Sequence, residues 1–122
     1  RGVTVDSFVA TLDLTSLDEL SPDQNEVERL FTLPVSFFEQ HPAREYELEI
    51  EIKPWQLTKD KLGIEHLPVD DLGLPSRYKK PWPGLAHRVL VYQNPEETVW
   101  GLTAELVNAV VMLLQQDQKA QT

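Results

Sequence analysis

Apolar and polar residues alternate with a period of two along residues 45–52. Tyr46, Leu48, Ile50 and Ile52 fall on one side, and Glu45, Glu47, Glu49 and Glu51 on the other. Successive side chains of an extended chain point to opposite faces, so this run predicts an antiparallel strand with the four apolar residues buried. Val3 to Leu14 also reads as a strand, on β-branched and aromatic content. Val89 to Tyr92 reads as a buried strand stopped at Asn94-Pro95. From Leu102 the period changes. Leu102, Leu106, Ala109, Val110 and Leu113 recur at helical spacing, and Val107, Val111 and Leu114 widen the apolar stripe. Thr103 and Glu105 are expected in the first turn of this helix, Trp100 in the core beside it, and Gln115 to Thr122 as a polar frayed tail.

Prolines set the remaining boundaries. Leu17 to Asn25 is a polar loop containing Pro22, and Leu33, preceding Pro34, is held extended. A short helix is predicted over Val35–Gln40, with Pro34 in its first turn and Pro42 beyond its end. Lys53 to Gly84 carries five prolines and predicts a long excursion with little regular structure, anchored by Trp55, Tyr78 and Trp82.

The chain has 122 residues, the size of one domain. Its 20 acidic and 11 basic side chains leave a net charge of -9. Neither a nucleic-acid backbone nor an anionic membrane is therefore an expected partner, since both need a basic face. No cysteine is present, which removes disulfides and thiolate chemistry and suits an intracellular protein. No run approaches the ~18 apolar residues of a membrane span.

Three blocks carry a resemblance. The first is VTVDSFVATLD at Val3–Asp13. The second is NEVERLFTLPVSFF at Asn25–Phe38, with Glu26, Val27, Phe31 and Pro34 in a Glu-Val-x-x-x-Phe-x-x-Pro pattern. The third is VWGLTAE at Val99–Glu105, preceded by VLVY. Together they resemble the C-terminal half of Nudix hydrolases of the coenzyme A diphosphatase type. The resemblance implies an α/β/α sandwich with a mixed sheet. It also implies dependence on Mg2+ or Mn2+, and cleavage of coenzyme A or acyl-CoA to adenosine 3′,5′-bisphosphate and a phosphopantetheine product. Residues 1–122 would be the C-terminal part of one such domain, with a Pro-rich insertion at about 53–84.

The family's metal-binding helix, whose core reads Arg-Glu-aliphatic-x-Glu-Glu, is absent. Its glutamates ligate the divalent ions that bind pyrophosphate and activate water. Arg44 to Glu49 imitates it, but Leu48 replaces a required glutamate, and the run alternates as a strand. This chain alone is therefore expected to be inactive. The catalytic and metal-ligating residues would lie in an upstream half or on a second chain.

His87 and Arg88, at the start of the predicted strand over residues 89–92, are the candidate substrate contacts; an arginine can grip a phosphate with two parallel bonds. His41, His66 and His87 have no metal-ligand spacing. Glu96 and Glu97 read as a solvated turn, and the glutamate ladder as a solvent face that discourages edge pairing. The helix start at Gly101 to Thr103 can accept an anion at its free N–H groups, and simple capping explains it as well. The competing reading is a non-catalytic acidic interaction module with a degenerate Nudix-like fold, acting through the excursion.

Overall fold

A computed structural model describes residues 4–60 and 62–120. The fold is mixed α/β. Helix α1 (Val35–Gln40) leads into β1 (Arg44–Ile52). A small hairpin follows, β2 (Trp55–Leu57) and β3 (Gly63–Glu65), then a 3-10 helix at Ser76–Lys79. Strand β4 (Trp82–Gln93) turns into β5 (Thr98–Trp100), and helix α2 (Gly101–Ala120) closes the order. Strands β1, β4 and β5 form an antiparallel sheet with β4 in the centre, and β2 and β3 form a separate antiparallel pair.

Register decides which residues share a face. Glu45 pairs with Leu90, Glu47 with Arg88 and Tyr92 with Val99. These residues lie on the side covered by α2. Tyr46 pairs with Val89, Leu48 with His87 and Val91 with Trp100, on the opposite side. The ladder shifts by one residue between Glu49 and Glu51, where Gly84 and Leu85 stand against Ile50. A Cβ on Gly84 would come within 3.1 Å of the Ile50 carbonyl oxygen, which is why the bulge takes glycine.

The core lies between α2 and the sheet. Leu90, Tyr92 and Ala104 form its buried centre, with Phe37, Phe38, Ala43, Val99 and Val107 packed around them. The Phe38 ring meets the Tyr92 ring edge-on at 5.0 Å. Val69, fully buried, centres a second small cluster in the excursion, where the Pro54 carbonyl accepts from the backbone N–H groups of His66 and Leu67.

Several expectations hold. The strand over residues 45–52 and the helix over 35–40 form, β4 ends before Asn94-Pro95, and Leu90 and Tyr92 are buried. Others are corrected. Thr4 to Leu14 belongs to no strand, because no strand among the described residues supplies its ladder; Val3 lies outside the described residues. Tyr46, Leu48, Ile50 and Ile52 alternate as expected but remain 44–52% exposed, because no layer covers their face among the described residues. Trp100, expected in the core, is 64% exposed on that same face. Pro34 is the N-cap of α1 rather than a residue of its first turn. Glu105 lies beyond the first turn of α2, a turn without acidic residues. That helix runs on to Ala120, since Gln, Lys and Ala tolerate helix well; Gln121 and Thr122 are outside the described residues. The excursion contains the β2–β3 hairpin rather than only irregular chain.

Gly101, at the junction of β5 and α2, has φ +66°, and nothing stands within 4 Å of where a Cβ would be. The cost of Gly101→Ala is then purely conformational. It should destabilise the chain by about 1–2 kcal/mol in chemical denaturation. A neutral result would mean that the junction relaxes to an ordinary backbone conformation.

Candidate functional site

The two candidate substrate contacts are adjacent on a strand, and the sheet separates them. His87 is exposed on the open face, paired in register with Leu48. Arg88 lies on the α2 side. There Glu105 accepts two bonds from its guanidinium, Nε to Oε1 at 3.0 Å and Nη2 to Oε2 at 2.5 Å. The hydrogen bonds and charge of Glu105 raise the arginine pKa further above its ordinary range. Arg88 is thus committed to a structural pair, and one phosphate group cannot be gripped by both residues from one side of this strand.

Beside that pair, the Tyr92 hydroxyl donates to Asn108 Oδ1 at 3.0 Å. Burial, and then the Glu105 charge, push the phenol pKa upward. The hydroxyl stays protonated and serves as a fixed donor that ties β4 to α2.

The β4–β5 turn carries a second two-pronged pair. Both Glu97 oxygens accept from Arg29, each at 2.6 Å, and the Arg29 guanidinium lies 5.3 Å from the centre of the Phe31 ring. The Asn94 side chain accepts from the backbone N–H groups of Glu96 and Glu97. Glu97, read from sequence as solvated, is therefore held. The Arg29 hydrogen bonds keep its carboxyl below the usual glutamate range. A lowered carboxyl pKa strengthens the native state above the ordinary value of about 4.3, and this contribution is lost as pH falls through the lowered value. Acidification well below the ordinary glutamate range should free Arg29 from Glu97 and loosen residues 29–31 before the sheet melts, visible as a shift of the Phe31 ring resonances. A Phe31 signal constant down to global unfolding would refute the tether.

Metal ligation finds no donor set. Among the described residues no three of His, Asp or Glu converge. The residues present do not fit the divalent ion that the resemblance implies. Among the described residues, no helix is long and apolar enough to cross a membrane.

Besides a cleft of about 640 Å³ lined by Arg77, Tyr78, Lys80 and Trp82, three concavities stand apart from His87 and Arg88. One of about 480 Å³ lies in the excursion, lined by Trp55, Leu57, Ile64 and Leu67, with Asp70 and Lys79 bridged at 2.7 Å beside it. A groove of about 310 Å³ runs between α1 and α2, lined by Phe38, Val107, Val110 and Val111, with Phe8 and Val9 of the extended N-terminal segment alongside. The third, of about 320 Å³, is polar and is lined by Gln40, His41, Pro42, Arg44, Val91 and Gln93. Sequence reasoning missed it because its residues come from three elements, and Arg44 had been read only within the imitation of the metal helix. No known protein family, no curated protein and no solved structure matches this chain.

Proposed function

We propose that this chain is the C-terminal part of a metal-dependent Nudix pyrophosphohydrolase acting on coenzyme A or acyl-CoA. It supplies sheet, C-terminal helix and a substrate-side residue, and the metal-binding glutamates come from elsewhere. The observation that carries the reading is the uncovered apolar face of the β1–β4–β5 sheet. Tyr46, Leu48, Ile50, Val89, Val91 and Trp100 form that face, opposite α2. A sheet covered by a helix on one side and apolar on the other needs a second helical layer, and an α/β/α sandwich provides one. In this reading the glutamate-bearing helix is that layer, residues 4–14 gain the strand partners they lack here, and the full sheet becomes mixed. His87, on the open face, then borders the catalytic layer. Arg88 braces α2 and has the weaker claim to substrate contact.

The rival reading makes the chain a non-catalytic acidic module whose excursion covers its own apolar surface. Against it, α2 packs chiefly on β4, β5 and α1, and Leu102, Met112 and Leu113 stay more than half exposed. The deciding experiment extends the chain upstream of Arg1 with its own coding sequence and assays Mg2+-dependent release of adenosine 3′,5′-bisphosphate from coenzyme A. The reading requires a glutamate-bearing helix upstream and metal-dependent turnover. An upstream region with no such helix overturns it. In the active extended protein, His87→Ala should raise KM or lower kcat at least fivefold, while Arg88→Ala should act mainly on stability. The reverse pattern would exchange the two roles.

A further inference from the structure

The polar concavity at the α1–β1 corner runs against the charge of the whole molecule. The molecule carries a net charge of -9, yet none of the residues lining this pocket is acidic. It holds Arg44, His41 and the side-chain amides of Gln40 and Gln93 against a floor of Val91 and Pro42.

Arg44 is also unlike the other described arginines. Arg29 and Arg88 are each held by a carboxylate, and Arg77 donates to the Tyr78 hydroxyl at 3.1 Å and lies against its ring. Among the described residues, Arg44 is the only arginine whose side chain has neither an ion pair nor a hydrogen bond. Its neighbour Glu45 offers no partner, because register places Glu45 on the α2 side of the sheet and Arg44 on the other.

The surrounding groups are held in place. His41 Nδ1 lies 3.0 Å from the Phe37 carbonyl oxygen, and its ring stacks on Phe37 at 4.9 Å. Gln93 Nε2 donates to Thr98 Oγ1 at 3.0 Å, which fixes the amide while leaving it a second N–H. Arg44 and Val91 are paired across the sheet, so the floor is rigid.

We propose that Gln40, His41, Arg44 and Gln93 form a binding site for a phosphate group. An unpaired guanidinium offers the planar fork that phosphate takes up in two parallel bonds, and the amides supply neutral donors around it. The pocket volume of about 320 Å³ leaves room for an organic group attached to the phosphate. The site lies apart from His87, and this inference does not depend on the coenzyme A reading.

The test is a titration of the chain, followed by amide and side-chain NMR at constant pH and ionic strength. Inorganic phosphate and adenosine 3′,5′-bisphosphate are the two probes, with acetate as the carboxylate control. Saturable shifts are expected at Gln40, His41, Arg44 and Gln93 with both phosphates. At least tenfold tighter binding of the bisphosphate would identify an organic phosphate as the natural source, and equal binding would identify free phosphate. Arg44→Gln should weaken binding at least tenfold. Arg44→Lys, keeping the charge without the fork, should fall in between. Arg77→Gln removes the same charge elsewhere and should stay within twofold of the parent. Both positions are exposed, so far-ultraviolet circular dichroism should be unchanged. The proposal is overturned if no saturable shift occurs at these residues, if acetate binds as tightly as phosphate, or if Arg77→Gln weakens binding as much as Arg44→Gln.

Discussion

Incubated alone with coenzyme A and magnesium, the 122-residue chain should release no adenosine 3′,5′-bisphosphate above the uncatalysed background. Joined to the glutamate-bearing segment proposed above, it should gain a rate enhancement of at least about 10⁶, the lower end for enzymes. A divalent ion lowers the pKa of its bound water and neutralises charge building on the pyrophosphate. Holding the ion requires several carboxylate oxygens at about 2.1 Å from one point. The glutamates of β1 share one face of a strand but converge with no third ligand among the described residues, Glu97 is occupied by Arg29, and Glu105 by Arg88. Metal-dependent turnover by the 122-residue chain would mean that carboxylates converge in a way this fold does not provide.

The second large effect concerns stability. Leu90 lies at 4% exposure in the centre of a small core, between Tyr92 and Ala104. Leu90→Ala should cost about 2–5 kcal/mol, the range for removing a buried leucine from a site that relaxes only partly. Domain stabilities are about 5–15 kcal/mol in total, and a chain with two uncovered apolar faces belongs near the lower end. The variant should therefore be largely unfolded under conditions where the parent is folded, as urea denaturation followed by tryptophan fluorescence would show. Leu48→Ala, on the open face, should cost about 1 kcal/mol or less for the chain alone, because half of that side chain is already in water. If Leu48→Ala were the more damaging change, the assignment of the two sheet faces would be reversed.

Local pattern carried much of this architecture, and partners carried the rest. The alternation of residues 45–52 specified a strand and its two faces. It could not say whether the apolar face would be covered, because burial depends on a second layer. The same holds for Trp100. Residues 4–14 have strand chemistry without a strand to pair with, and backbone hydrogen bonding needs both members. The β2–β3 hairpin has three residues on each side, too few for alternation to be read. One separation was legible in the sequence. His87 and Arg88 are consecutive on a strand, and a period of two places consecutive residues on opposite faces. The phosphate pocket was not legible, since Gln40, Arg44 and Gln93 meet only through the pairing of β1 with β4.

The pairing of Ile52 with Trp82 has a consequence for how this architecture can diversify. Residues 53–81 leave the sheet and return to it at neighbouring points, so the lobe they form is a closed appendix. The entropy of closing such a loop grows only logarithmically with its length, by about 0.6 kcal/mol per doubling. Lengthening the lobe, or exchanging it for a tight turn, would leave the β1–β4 register intact, because every pair from Arg44 with Val91 to Ile52 with Trp82 lies outside residues 53–81. The lobe has its own small nucleus at Val69 and its own concavity beside Trp55. It is a cassette: new surfaces can be tried there by insertion and deletion while the scaffold is inherited unchanged.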